Sequence, residues 1–266
     1  MNRKKDYKTI VLSDIHLGSS WSKAKEVTRF LKKNSCDTLI LCGDIIDGWC
    51  LDRGKKPKWK KSHTRFLRHI LAIQHKTKII YIRGNHDDFL DRVCPISFQN
   101  IHIVKDYFYE SNGKRYYVLH GDIFDKITSR LRWLAKLGDI SYSLLMWVNK
   151  KYNEQRIKKG LPYYYLSHKI KNKVKVAVSY ISDFEKYIVE VAKKKKCDGI
   201  ICGHIHHPVK RYYDDILYLN AGDWVESLSA LTEDNEGNWE IVYYIPKEED
   251  EEKPKKKKDK HKKLVI

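Results

Sequence analysis

The chain has 266 residues, with 53 Lys or Arg against 34 Asp or Glu and a formal net charge of +19; 42% of residues are hydrophobic and 33% charged. That suits one large domain, or a domain with an insertion, with a core that needs no disulfides. The longest apolar runs are about six residues against the ~20 of a spanning helix, and the start MNRKKDYKTIVLSD has no apolar stretch of the secretory kind. A membrane span, a secretory signal, a collagen-like repeat and a small disulfide scaffold are therefore excluded, and a cytoplasmic protein is expected.

In chain order, short β-rich runs each end in a polar loop. Thr9–Leu12 runs into SDIHLGS, Thr38–Cys42 into GDIIDGW, Lys78–Ile82 into RGNHDDF, and Arg115–Leu119 into HGDIFD. Gly199–Cys202 runs into GHIHHP and Ile216–Leu219 into NAGDW, with further strands expected at 226–231 and Trp239–Tyr244. Helical spacing fills Lys23–Lys33 and His63–His75. Buried strands alternating with helices read as an α/β layer fold, whose ligands bind at the carboxyl ends of the strands. The stretch from Ile127 to Lys196 breaks this grammar: it reads as helices only, including one over Ser167–Lys195, and is rich in Trp and Tyr. The domain reading is a core of 1–125 and 197–246, a helical cap insertion at 126–196, and a disordered Lys/Glu-rich tail at 247–266.

The charge is unevenly spread. Lys126–Lys196 holds 18 Lys or Arg against 5 Asp or Glu, and the segments outside it and the tail carry only +3. Such a field attracts phosphates, nucleic acid or anionic headgroups. In the cap, Arg130, Arg132 and Lys136 stand among Leu, Trp and Tyr and are expected to meet substrate phosphate or a bilayer surface. Cys36, Cys42, Cys50, Cys94, Cys197 and Cys202 form no C-x-x-C pair, so free thiols are expected rather than a zinc knuckle or redox motif.

The strand ends together offer Asp14, His16, Asp44, Asn85, His120, His204 and His206. Carboxylate and amide oxygens mixed with imidazole nitrogens, and no thiolate, suit Mn²⁺, Fe²⁺ or Zn²⁺ better than Ca²⁺ or Mg²⁺. Seven donors exceed one tetrahedral site and suit two metals sharing a carboxylate, the arrangement that clamps both oxygens of a phosphoryl displacement.

The order D-x-H, G-D-x-x-D, G-N-H-D, H-G-D, G-H-x-H resembles the calcineurin-like metallophosphoesterase superfamily, from Thr9 to about Tyr244. Within it, GDIIDGW, HGDIFD, the helical insertion, CGHIHHP and LNAGDWVES resemble the UDP-2,3-diacylglucosamine diphosphatase family. The resemblance implies a two-layered β-sandwich core flanked by helices, with a helical cap. It implies one metal on Asp14, His16 and His206, a second on Asn85, His120 and His204, and Asp44 bridging, with Mn²⁺ expected and Fe²⁺ or Zn²⁺ as alternatives. His86 would touch the scissile phosphate and protonate the leaving oxygen, Asp87 would hold His86, and Asp122 and Asp47 would stand behind the ligands. The implied reaction splits UDP-2,3-diacylglucosamine into UMP and 2,3-diacylglucosamine 1-phosphate in lipid A synthesis, on the cytoplasmic face of the inner membrane and in peripheral contact with anionic lipid. The better-known branch has Arg where this chain has His86, which leaves soluble nucleotides or cyclic nucleotides as alternative substrates; a nuclease and a non-catalytic binding module rank lower.

Overall fold

A computed structural model describes residues 5–52, 59–127, 153, 155–156 and 175–246. Two sheets form its centre. The seven-stranded sheet contains β1 (Lys5–Leu12), β2 (Asn34–Cys42), β3 (Lys78–Ile82), β4 (Ile96–Phe98), β5 (Ile101–Val104), β11 (Ser229–Glu233) and β12 (Trp239–Tyr243), in the order β12-β11-β1-β2-β3-β5-β4. The five-stranded sheet contains β6 (Asp106–Ser111), β7 (Lys114–Leu119), β8 (Gly199–Cys202), β9 (Val209–Tyr213) and β10 (Ile216–Asn220), in the order β6-β7-β8-β10-β9. β1, β2, β3 and β5 are parallel, as are β7, β8 and β10. The carboxyl ends of β1, β2 and β3 are in register, with Leu12 opposite Leu41 and Leu41 opposite Tyr81.

Side-chain alternation in these strands builds the layers. Val11, Ile40, Cys42, Ile80 and Ile82 point between the sheets and meet Tyr116, Val118, Ile201, Leu217 and Leu219. Their neighbours Ile10, Leu12, Leu39, Leu41, Ile79 and Tyr81 point outward against α1 (Ala24–Lys33) and α3 (Lys61–Ile73). α1 buries Ala24, Val27, Phe30 and Leu31, the helical period that lays one apolar stripe on the sheet. It ends at Asn34, whose extended backbone starts β2 and whose side-chain amide donates to the Phe30 carbonyl at 2.8 Å. Outside the second sheet, α5 (Lys175–Lys194) covers Tyr117, Leu119, Ile200 and Tyr218 with Phe184, Ile188, Val189 and Ala192. At about 1.5–3 kcal/mol per fully buried large apolar side chain, the three clusters fasten the sheets to each other and to their helices. The remaining short helices are α2 (Gly48–Asp52) and α4 (Ile123–Ile127).

The two-sheet sandwich with flanking helices bears out the expected fold class. Four strands were not expected: β4, β5, β6 and β9. The penultimate strand starts at Ser229 rather than 226, because Asp223 gathers the backbone N–H groups of Val225, Glu226 and Ser227 into a turn. The insertion's last helix, expected over Ser167–Lys195, is present at Lys175–Lys194, and the expected positions before Lys175 lie outside the described residues. Residues 128–152, 154 and 157–174 of the expected cap, with Arg130, Arg132 and Lys136, and the expected tail lie outside the described residues. All six cysteines are free thiols. No helix among the described residues is long and apolar enough to cross a membrane.

Candidate active site

The loops after β1 and β2 run side by side past the sheet edge: the N–H groups of Asp14, His16 and Leu17 donate to the carbonyls of Gly43, Asp44 and Ile45 at 3.0, 2.9 and 2.8 Å. Asp14, His16, Asp44, His204 and His206 all sit in the left-handed region, with φ of 54°, 51°, 53°, 68° and 51°. A non-glycine residue there costs energy and persists where the surroundings over-determine it, typically at functional sites. Two glycines let the loops close up. A Cβ on Gly84 would overlap the Asp44 carboxylate, and one on Gly203 would overlap the Ser13 hydroxyl and come within 2.6 Å of Asp14.

Asp44 stands at the centre. Its Oδ1 accepts the His86 backbone N–H at 2.8 Å; its Oδ2 lies 3.2 Å from His120 Nε2 and 4.0 Å from both His16 Nε2 and His86 Nε2. Asp14 lies 3.1 Å from His206 Nε2 and 3.8 Å from His16 Nε2. Three groups of possible donors result, each with its atoms within 4.8 Å of one another: Asp14, His16 and His206; His16, Asp44 and His86; and Asp14, Asp44 and His120. The His120 Nδ1–H donates to the Cys42 carbonyl at 3.0 Å, which aims Nε2 inward.

The donor set fits divalent cations. It is rich in carboxylate and imidazole, and two buried donor atoms, Asn85 Oδ1 and His120 Nε2, have no hydrogen-bond partner among the described residues. Charge balance points the same way. Burial opposes ionisation of Asp14, Asp44 and Asp47, yet the surrounding imidazoles hold all three below the usual carboxylate range. Burial likewise opposes the charged form of His16, His120 and His206, but the carboxylates prevail; His120 is pushed up to about 10 by Asp44 and Asp14. A cluster that holds protons this firmly demands positive charge, and a metal cation is the other way of supplying it.

His86 is held differently from the expectation. Asp87 does not orient it: that carboxylate accepts from the N–H groups of Ile45 and Ile46 at 3.1 and 2.8 Å and from the Tyr81 hydroxyl at 2.8 Å, and burial beside Asp44 raises it to about 6. Asp87 therefore braces the loop after β2. Asp47 takes the orienting place, accepting the His86 Nδ1–H at 3.0 Å and also approaching His16 Nδ1 at 3.5 Å. Asp87 stands at the start of the 3₁₀ turn Asp88–Arg92 with its carboxylate fully buried against the loop after β2, away from the His86 ring. The Trp49 indole lies against the His86 ring, centroids 4.1 Å apart.

His204 stands beside His120, ring centroids 5.1 Å apart, but its Nε2–H donates to Asp125 at 3.0 Å, which leaves Nδ1 as the nitrogen free to ligate. Asp125 in turn accepts the Tyr180 hydroxyl of α5 at 2.8 Å. Asp122 accepts from Arg83 at 2.7 Å and thereby joins the two sheets. Sequence reasoning missed Asp125 and Trp49. For Asp125 a signal existed: it lies one helical turn beyond Asp122 in HGDIFD, facing the same strand ends.

A sandwich with this cluster at its strand ends is the architecture of a metal-dependent phosphoester hydrolase. Residues 7–208 match the calcineurin-like phosphoesterase family model, and the chain belongs to that family. No curated protein matches the chain. Solved structures similar to it include Yfce, a phosphoesterase from E. coli (15% identity, 89% of this chain and 99% of that one, TM-score 0.42). A novel archaeal phosphodiesterase gives 16% identity, 88% and 98% coverage and a TM-score of 0.40. A predicted phosphoesterase from Streptococcus pneumoniae gives 14%, 90% and 90%, and 0.37.

Proposed function

We propose that this phosphoesterase hydrolyses the pyrophosphate of a lipid-linked sugar nucleotide, UDP-2,3-diacylglucosamine, giving UMP and 2,3-diacylglucosamine 1-phosphate. The observation that carries the chemistry is the convergence of three imidazoles from three different loops on Asp44 Oδ2. The finer substrate is supported by the loop sequences GDIIDGW, HGDIFD, CGHIHHP and LNAGDWVES. In this reading Asp14, His16 and His206 hold one divalent cation, Asn85, His120 and His204 the other, and Asp44 both, with Mn²⁺ the expected ion. When bound, the cations supply Lewis acidity to the attacking water and to the phosphoryl oxygens.

The chain's own groups do the rest. Asp47 fixes the His86 ring through Nδ1, so a proton on Nε2 is available to the leaving oxygen. Water attacks the α-phosphorus, a P–O bond forms, and the bond to the bridging oxygen breaks. The bridging oxygen leaves with the sugar 1-phosphate, taking a proton from His86 held by Asp47, while the attacking water gives up its own proton to solvent, from which His86 takes one back. Trp49 covers one side of that ring and limits its motion. The amphiphilic product and the basic sequence of Lys126–Lys196 support work at an anionic membrane surface on the cytoplasmic side, which low-salt pelleting with anionic liposomes tests.

The deciding experiment incubates purified protein with Mn²⁺ and UDP-2,3-diacylglucosamine and scores UMP, beside a panel of cyclic nucleotides and dinucleotides. UMP release that chelation abolishes supports the reading. Turnover of cyclic nucleotides alone replaces the substrate and keeps the chemistry.

A further inference from the structure

Four strands stand at the sheet edges: β12 and β4 in the seven-stranded sheet, β6 and β9 in the five-stranded one. An edge offers backbone N–H and C=O groups to any further strand, and proteins blunt their edges with charge. Three of these edges follow that rule. β12 carries Glu240, β9 carries Lys210 and Arg211, and β6 carries Asp106 and Glu110, all exposed. β4 does not. It reads Ile-Ser-Phe with all three residues exposed, and from Val93 to Val104 there is no Lys, Arg, Asp or Glu, in a chain that is 33% charged.

The uncharged edge is also apolar. Val93, Ile96 and Phe98 are 50%, 42% and 46% exposed. Ile96 stands opposite Ile103 of β5 and Phe98 opposite Ile101, so both share the face on which Ile101 joins Phe66 and Ile70 of α3. The helical cover ends there. The Asn100 side-chain amide donates to the Gln74 carbonyl at 2.9 Å, which sets the end of α3 beside the turn between β4 and β5. Leu71, three residues before Gln74 and on the same flank of the helix, is 55% exposed. At roughly 150–250 Å² for a large side chain, these four residues leave on the order of 300 Å² of apolar surface, near the apolar share of one side of a small, reversible interface.

We propose that this edge pairs with β4 of a second copy of the chain. Antiparallel pairing about a twofold axis at Ser97 is self-complementary: Ser97 meets its own copy, and Ile96 meets Phe98 of the second chain twice, all on one face. An uncharged strand accepts such a partner without burying a lone charge, and a second copy brings the same uncharged strand by construction. Three residues alone pair weakly, so Val93 and Leu71 contribute the remaining apolar contact and a micromolar dimer is expected. None of the candidate metal ligands takes part, and the proposal is independent of the substrate reading.

Sedimentation of the full-length protein from about 1 to 200 µM tests it, with a reversible monomer–dimer equilibrium as the expected result. Ile96→Glu with Phe98→Glu, and Ile96→Lys with Phe98→Lys, are each expected to weaken the dimer about tenfold or more, because like charges then face each other. An equimolar mixture of the two variants is expected to dimerise again at low salt, since each edge then meets its opposite. Circular dichroism and hydrolysis of bis(p-nitrophenyl) phosphate are expected to stay at wild-type levels in both. Ser97→Glu, which sets two carboxylates together at the axis, repeats the test should those variants fail to fold. Hydrogen exchange over residues 93–99 is expected to slow as the protein concentration rises. A monomer at every concentration, a dimer that the substitutions leave intact, a mixture that stays monomeric, or exchange at 93–99 that ignores dimer formation overturns the proposal.

Discussion

The two sheets contribute unlike chemistry to the site. Among the described residues, the seven-stranded sheet supplies the carboxylates in the candidate donor groups, Asp14 and Asp44, and Asp47 beside them, on the loops after β1 and β2, together with His16 after β1 and Asn85 and His86 after β3. The five-stranded sheet supplies imidazoles, His120 after β7 and His204 and His206 after β8; its own nearby carboxylates, Asp122 and Asp125, are turned to Arg83 and His204. One wall is anionic and the other basic, so the cluster exists only when the sheets are packed. A cation held between them cross-links the sandwich.

The strongest way to break this comparison is to remove the carboxylate at the junction. Asp44→Asn takes one charge from the anionic wall and is expected to lower hydrolysis of bis(p-nitrophenyl) phosphate by about 10³-fold or more, with loss of bound metal by elemental analysis. A variant that kept both metals and its rate would show that the walls do not share Asp44. Chelation of the wild type is expected to lower Tm, since ligands on both sheets lose their common partner.

Next in size is the pair Asp47 and Asp87, both on the anionic wall and both buried. His86→Ala is expected to cost about 10²–10³-fold in kcat with metal content kept. Asp47→Asn should reproduce much of that loss and shift the pH–rate profile. Asp87→Asn should act mainly on Tm, because its carboxylate serves the backbone of Ile45 and Ile46. If Asp87→Asn instead mimicked His86→Ala while Asp47→Asn was silent, the orienting role would pass back to Asp87.

These assignments mark where sequence stopped being informative. The strand-then-polar-loop grammar was legible because parallel buried strands read as apolar runs and their loops carry rare residue types. It pointed to Asp14, His16, Asp44, His120 and His206, which the fold brings within reach of one another, and to the layer architecture. β4, β5, β6 and β9 were hidden because they are short or solvent-facing and lack such runs; β4 is exposed throughout. Side-chain pairing was hidden for another reason. Asp47 and Asp87 stand in equivalent motif contexts, and only the path of the chain after each decides which carboxylate meets His86. Asp125 meets His204 across 79 positions of sequence, a relation no local spacing encodes.

On the basic wall, Asp125→Asn and Tyr180→Phe sharpen the comparison by a smaller amount. A carboxylate behind a ligating imidazole typically governs 10–100-fold in metal affinity. Asp125→Asn is expected near the lower end, about tenfold for the second ion, with Tyr180→Phe weaker still, read by metal titration of the apo protein. Unchanged affinity in Asp125→Asn would make its contact with His204 purely a packing contact.

The smallest expected effect lies behind the anionic wall. His63, at the start of α3, is buried, and its Nδ1 accepts the Gly18 N–H at 3.1 Å, tying α3 to the loop that carries Asp14 and His16. Burial, helped by Lys60, lowers its pKa from 6.5 to about 4. The folded state therefore resists a proton that the unfolded chain accepts. Between those two values the unfolded state binds more protons, so the stabilisation present above 6.5 declines as pH falls and is gone below about 4. The slope is about 1 kcal/mol per pH unit within that window. Because the cluster histidines titrate too, the measurement is a difference: urea unfolding of wild type and His63→Gln at several pH values across the window. The wild type should lose stability on acidification faster than His63→Gln by that slope, and parallel curves would mean that His63 accepts its proton as readily in the fold as out of it.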